Sequence, residues 1–150
     1  MKLAIATDHN GVEQKKELIK YLIDELGYKV EDLSPNNTPT DDYPDYALKV
    51  SNYVINHEVD YGILMCGTGI GMSIAANKVP GIRAAKVSNE REAFLTRNDN
   101  NSNVICLSYA EDMNLLKKML KTFLETPFSN EERHIRRINK IKEIEETNEY

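Results

Sequence analysis

Short β-type runs alternate with helix-length amphipathic segments along most of the chain, and no other feature restricts its fold so tightly. Lys2–Thr7 reads as a strand, with Asp8-His9-Asn10-Gly11 as its exit turn. Residues 12–26 carry Leu18, Leu22, Ile23 and Leu26 at helical spacing, and Gly27 is placed to cap that helix. Residues 28–33 read as a second strand and 34–43, with Pro35 and Pro39, as a polar loop. Tyr46, Val50, Tyr53 and Val54 mark a second helix, Tyr61–Cys66 a third strand and 71–77 a third helix. Pro80-Gly81 turns the chain into a fourth strand, 82–87, followed by a helix at 90–96. A fifth strand at 104–107 and a helix over Met113–Glu125 complete the pattern. This βαβα order predicts an α/β fold, a parallel sheet covered by helices on both faces. Ligands of such sheets bind at the carboxyl ends of strands. Asp8-His9, the 66–71 loop and the polar run 97–103 are expected at or near strand ends or in the loops between.

The third strand carries the chemistry. It ends in Cys66 and runs directly into Gly67-Thr68-Gly69-Ile70-Gly71, three glycines at alternate positions before the helix. Glycines there let the backbone take positive φ and let a ligand approach the main chain. The N–H groups of the loop and of the helix N-terminus then converge and favour negative charge. A cysteine in that field can serve as thiolate nucleophile or as base. A base facing a nest of N–H donors suits chemistry that passes through an oxyanion or enediolate. Cys66 alone would read as a small buried hydrophobe. The order strand, cysteine, glycines, helix is what favours a functional reading.

The 150 residues are one domain's worth of chain. A net charge of −5 gives no argument for nucleic acid. Cys66 and Cys106 are too few for a disulfide framework or a CxxC metal site, which points to a reduced, cytoplasmic setting. The apolar run from Leu3 to Ala6 is too short for a signal peptide, and no stretch is long enough for a membrane span. No G-x-G-x-x-G follows the first strand, so a dinucleotide site is not expected, and there is no P-loop. His9, His57 and His134 have no spacing suited to zinc, and no metal is expected. A thiol hydrolase would need an imidazole beside Cys66, which His9 could supply.

The tail, 130–150, differs in kind from the α/β unit over 1–129. Ile135, Ile138, Ile141 and Ile144 form a stripe at three-residue steps on a long charged helix. Arg133, Arg136 and Arg137 cluster near its start, and Glu143, Glu145, Glu146 and Glu149 crowd its end. Such a helix is expected to pack on its own domain first and on a second subunit next. By charge pattern alone the arginines read as a solvated face.

Asp8-His9-Asn10-Gly11, Asp42-Tyr43-Pro44-Asp45-Tyr46-Ala47, the block CGTGIGMSIAANKVPGIRAA from Cys66 to Ala85, Asn100-Asn101-Ser102-Asn103-Val104 and the late arginines stand together in one order. In these motifs the chain resembles the type B ribose-5-phosphate isomerase / galactose-6-phosphate isomerase family over nearly its whole length. The resemblance implies a Rossmann-like three-layer α/β/α sandwich with a five-stranded parallel sheet and an extra C-terminal helix. It implies a homodimer or dimer of dimers with the active site between subunits, a sugar phosphate as substrate, and no metal or organic cofactor. It also implies aldose–ketose isomerisation through a cis-enediolate, by default of D-ribose 5-phosphate to D-ribulose 5-phosphate. In that scheme Cys66 is the base, the amides of Gly67, Thr68, Gly69, Ile70 and Gly71 hold the enediolate oxygen, and the Thr68 hydroxyl stands beside it. Asp8 shuttles or orients hydroxyl protons, Asn100 binds sugar hydroxyls, and His9, Arg133 and Arg137 hold the phosphate, which arginine's planar fork suits.

Two positions depart from the family pattern. Asp99 stands where the resemblance places a ring-opening histidine, and Ala110 where it places a further phosphate arginine. Three explanations are open. Asp99 does the acid–base work of ring opening itself, as a base if ionised. Or the substrate is another sugar phosphate: a tetrose 4-phosphate that cannot close a furanose, or a galactose or allose 6-phosphate. Or the protein is a partner subunit or sugar-phosphate binder without activity of its own.

Overall fold

The computed structural model describes residues 1–147, so Glu149 of the acidic tail lies outside it. Five strands, β1 (Lys2–Thr7), β2 (Lys29–Asp32), β3 (Tyr61–Cys66), β4 (Ala84–Lys86) and β5 (Val104–Ser108), form one sheet in the order β2-β1-β3-β5-β4. Every pairing is parallel. The helices are α1 (Val12–Lys20), α2 (Tyr43–Ile55), α3 (Ile70–Ala76), α4 (Glu90–Asn100), α5 (Met113–Glu125) and α6 (Glu132–Thr147).

Period-two alternation divides the strands between two cores. Leu3, Ile5, Ile63, Met65, Ile105 and Leu107 pack against Leu18 and Leu22 and against Leu116, Leu120 and Phe123 of α5. The intervening residues, Ala4, Ala6, Leu64, Cys66, Val104 and Cys106, face Val50 and Val54 of α2 and Met72 and Ala76 of α3. Both faces of the sheet are therefore covered, which is why its strands read as nearly continuous apolar runs. The second core is built of smaller side chains, and α2 comes close to the sheet. A Cβ on Gly62 would stand 2.5 Å from Val50 Cγ1.

Several boundaries differ from those read in the sequence. α1 widens into a π-helical turn over Tyr21–Glu25 before Gly27, at φ 74°, ends it. α2 starts at Tyr43 rather than near Tyr46, with Pro44 in its first turn, where a missing N–H costs nothing. α4 continues through Asn100, taking in half of the polar run that was expected as a loop. Asn101, at φ 48°, ends it as a left-handed cap.

α6 packs on its own domain through its first turn, where His134 is buried beside Asp99, and leaves most of the isoleucine stripe open. Ile135, Ile141 and Ile144 are 40–48% exposed, and His134 is the residue the helix buries. Near its far end Glu145 accepts the Gly81 N–H at 3.1 Å. Between these two points a groove of about 620 Å³ opens, lined by Pro80, Arg83, Ile138 and Ile141.

The close approach of α2 sets an expected outcome. Gly62→Ala places a methyl against Val50 and lowers stability by about 1–3 kcal/mol through overpacking. That outweighs the ~0.4–1 kcal/mol gained by stiffening the unfolded chain. Urea unfolding midpoints measure the difference, and an unchanged midpoint would mean that α2 shifts freely.

Candidate active site

The strand order reverses between β1 and β3, and a crevice opens at the carboxyl ends of two strands that diverge in this way. Asp8 and His9 leave β1 at that point and Cys66 ends β3 beside them. Cys66 is 5% exposed, and its Sγ accepts the Gly69 N–H at 3.2 Å. Gly69 has φ 80°, and a Cβ there would sit 3.0 Å from the Leu107 carbonyl carbon, so the turn needs glycine on both counts. Thr68 Oγ1 takes the Ile70 N–H at 3.1 Å, and Ser108 Oγ donates to the Gly67 carbonyl at 2.7 Å. These bonds pin the loop, while Gly67, Thr68 and Ile70 themselves are exposed. Gly71 lies against the Tyr43 ring, 2.6 Å from where its Cβ would be.

Asp8 faces the same opening. Its Oδ1 accepts the Asn10 N–H at 3.0 Å, and its Oδ2 accepts the Tyr109 hydroxyl at 3.4 Å. Burial, then the charge of Asp8, pushes the Tyr109 hydroxyl above its ordinary range, so it stays a donor. Cys106 lies on the same face of the next strand, wholly buried, and desolvation drives its thiol far above the usual value. It is a structural thiol.

His9 is held by a residue the sequence reading did not single out. Asp41 Oδ1 takes both His9 Nδ1–H, at 2.7 Å, and the His9 backbone N–H, at 3.1 Å. The imidazole is thereby fixed with Nε2 free. Asp41 Oδ2 in turn accepts from Asn37 Nδ2 at 2.9 Å, Tyr46 hydroxyl at 2.8 Å and Thr38 N–H at 3.2 Å. Burial alone would raise the carboxyl, but the bonds from Asn37, His9 and Tyr46 outweigh it and hold Asp41 well below the usual carboxylate range. Burial and the same hydrogen bond push Tyr46 up to about 12. Behind this cluster Lys15, 3% exposed, binds the Ser34 carbonyl at 2.5 Å, Ser34 Oγ at 3.0 Å and Asp32 at 3.1 Å. A buried ammonium so paired ties the loop after β2 to α1.

The remaining sequence candidates lie elsewhere. Asp99 and Asn100 close α4, and the chain then enters β5 at its amino end, so the run 97–103 is not at the carboxyl ends of the strands. The Asn103 carbonyl meets the Gly62 N–H at the start of β3, whereas Cys66 pairs with Ser108 at its end. Those four residues of strand separate the two levels by about 13 Å. The turn is held by arginines. Arg83 donates to the carbonyls of Asn100 at 3.1 Å and Asn101 at 2.8 Å, and Arg97 donates to Asn101 Oδ1 and the Ser102 carbonyl. On α6, Arg133 is paired with Glu131 at 3.0 Å, and Arg137 is exposed. The chain therefore brings Asp8, His9, Cys66, Thr68 and the loop amides together, and leaves Asp99, Asn100, Arg133 and Arg137 at the other edge. Among the described residues no group of three His, Cys, Asp or Glu side chains is placed to hold a metal ion.

Residues 3–141 match the family described as Ribose/Galactose Isomerase. The chain belongs to that family. A putative sugar phosphate isomerase of Bacillus subtilis is 45% identical over 150 residues, 99% of each chain. The ribose-5-phosphate isomerase B structure from Clostridium thermocellum superposes with a TM-score of 0.93 at 41% identity, covering 99% of this chain and 100% of that one. The ribose-5-phosphate isomerase B of Mycoplasma genitalium, solved with bound ribulose-5-phosphate, gives a TM-score of 0.89 at 42% identity over 97% of each chain. The sandwich fold of the ribose/galactose isomerases is thus this chain's fold.

The Asp41 cluster gives the site a sign-defined acid response. A carboxyl whose folded value is lowered binds fewer protons folded than unfolded, so its contribution is whole above pH ~3.9 and is lost as pH falls through the folded value. Asp41→Asn lowers stability at neutral pH by about 1–3 kcal/mol and flattens the further loss below pH ~4. Urea midpoints taken at pH 7 and pH 3 check both parts, and parallel curves for variant and wild type would remove Asp41 from the account.

Proposed function

We propose that the chain is an aldose–ketose isomerase of D-ribose 5-phosphate and D-ribulose 5-phosphate, working at a site that two copies of the chain complete together. The observation that carries this reading is the Cys66 thiol, held by the Gly69 N–H in an exposed loop of amides, with Asp8 and His9 across the crevice. The names of the relatives agree with it.

In the open-chain aldose, Cys66 as thiolate takes the C2 proton. The electrons move toward O1, and the enediolate oxygen is met by the amides from Gly67 to Gly71 and by the Thr68 hydroxyl. The proton returns to C1, while Asp8, oriented by Tyr109, carries the proton between the two hydroxyl oxygens. His9 turns Nε2 to the phosphate, its Nδ1 engaged by Asp41. A second copy with its sheet inverted supplies Asp99, Asn100, Arg133 and Arg137 from its opposite edge. Asp99 then opens the furanose, and the arginines complete the phosphate site that Ala110 leaves short of a cation. Binding the phosphate away from the reacting carbons helps to place them.

Exposed apolar side chains beside the loop support a covering subunit. Ile70 and Ile74 on α3 are 53% and 58% exposed, and Tyr43 and Leu48 of α2 are 38% and 52% exposed. We read the assembly as a homodimer or dimer of dimers, and its setting as the cytoplasm, where both thiols stay reduced.

Wild-type protein in D₂O exchanges the C2 proton of D-ribose 5-phosphate, followed by NMR, and Cys66→Ala slows this by about 10²–10⁴-fold. Retained exchange in the variant would take the thiolate out of the mechanism. Iodoacetamide labels Cys66 and spares Cys106, with substrate protecting. Cys66→Ala and Arg137→Ala, each inactive alone, regain activity when unfolded together and refolded as a mixture, because a mixed dimer keeps one intact site. A mixture as inactive as its parts would mean that each site is built within one chain.

A further inference from the structure

Among the described residues, three side-chain polar atoms are buried without a hydrogen bond: Thr7 Oγ1, Ser51 Oγ and His134 Nε2. Only the last belongs to an ionisable group. His134 is 7% exposed in the first turn of α6, and its Nε2 lies 3.5 Å from Asp99 Oδ1 at the end of α4 and 3.5 Å from Glu131 Oε2. The two segments are fixed to each other there, because the Ser129 N–H meets the Asn98 carbonyl at 3.1 Å. A ring nitrogen facing two carboxylate oxygens matches them in its N–H tautomer, whereas a lone pair in that position would oppose theirs. The Asn98 side-chain amide donates to Asp99 Oδ1, at 2.8 Å. The Asn98 amide thus bonds Asp99 Oδ1, and His134 Nε2 stands 3.5 Å from the same oxygen without a hydrogen bond to it. The Asp99 side chain is 34% exposed, and the hydrogen bond from Asn98 goes to Oδ1 rather than Oδ2.

We propose that His134 is a positioning residue for Asp99, its Nε2–H and the Asn98 amide engaging Oδ1 so that Oδ2 is presented as the ring-opening oxygen. The inference rests on the isomerase reading above and adds the source of its ring-opening geometry. Opening a furanose needs one group near two oxygens on the same carbon. Oδ2 takes the proton from O1–H, the O1 electron pair forms the C1=O1 carbonyl, and the C1–O4 bond breaks. The protonated carboxyl then returns that proton to O4, so no proton is gained or lost overall. A freely rotating carboxylate would meet this geometry only part of the time, and a buried donor behind it removes that freedom. Arg133 faces Glu131 at 3.0 Å, so Glu131 is already shared and Asp99 is the acceptor that His134 serves.

The two pentose phosphates separate this role from a structural one. D-ribose 5-phosphate is cyclic and must be opened. D-ribulose 5-phosphate cannot close a furanose, because its O5 carries the phosphate, yet its C1 proton still exchanges through the same enediolate. His134→Leu lowers kcat for D-ribose 5-phosphate by about tenfold or more, with KM and the C1 exchange of D-ribulose 5-phosphate in D₂O held within about twofold. His134→Gln, which keeps an N–H donor, recovers much of that loss. Equal loss in both reactions would make His134 a packing residue and overturn the proposal, as would no loss in either. Wild-type protein that exchanges ribulose 5-phosphate but does not turn over the cyclic aldose would overturn the ring-opening role of Asp99 alone. Wild-type protein inert to both would overturn the isomerase reading and this inference with it.

Discussion

In an all-parallel sheet every strand delivers its carboxyl end to one edge, so chain direction alone gathers Asp8, His9 and Cys66. The same direction sends every returning helix to the opposite edge, and Asp99 and Asn100 go with α4. Among the described residues the two groups stay on opposite edges of the sheet. On the proposed reading both groups act on one sugar, and a second molecule with its edges reversed is what would bring them together. Isoleucines of α3 and α6 stand exposed on the single chain, and in that proposed pair they are the apolar surface available to be covered.

At the carboxyl edge the fine geometry is set by charges placed behind the Asp8-His9 turn. Lys15 is buried on α1 and binds Ser34, whose hydroxyl also receives the Thr7 N–H at the end of β1. Asn37 spans from the Thr7 carbonyl to Asp41, and Asp41 holds His9 by ring and backbone together. An interior ammonium and an interior carboxylate are costly to bury unless fully bonded. Here the bonds that satisfy them are the ones that fix the imidazole. The amino edge is fixed in the same manner by Arg83 and Arg97, the latter stacked 4.9 Å above the Tyr61 ring.

Much of this was legible in the sequence because it depends on local pattern. Apolar runs of strand length, Gly27 and the Cys66 loop each announce themselves within a few residues. What was not legible depends on partners far away in the chain. Nothing local distinguishes Asp41 from Asp42 or Asp45, and only the fold shows which carboxylate meets His9. The run 97–103 looked like a loop because it is polar, yet four of its residues finish a helix whose polar end is satisfied by Arg83. The isoleucine stripe on α6 is real, but period alone does not say whether it is covered, and Ile135, Ile141 and Ile144 stand exposed. His134 was passed over because three scattered histidines carry no spacing signal, and its partner sits on another helix.

The placing of the two cysteines has a consequence for oxidative damage. Cys66 pairs with Ser108 and Cys106 pairs with Leu64, so the thiols stand on neighbouring strands two residues out of step. That offset puts their Cα atoms about 8 Å apart, beyond what a disulfide spans without moving the sheet. Cys106 is also wholly buried and held as the thiol. A peroxide that converts Cys66 to a sulfenic acid therefore meets no resolving cysteine within the chain. Repair must come from a small external thiol able to enter the crevice, and until it arrives the sulfur is free to pass on to the irreversible acids.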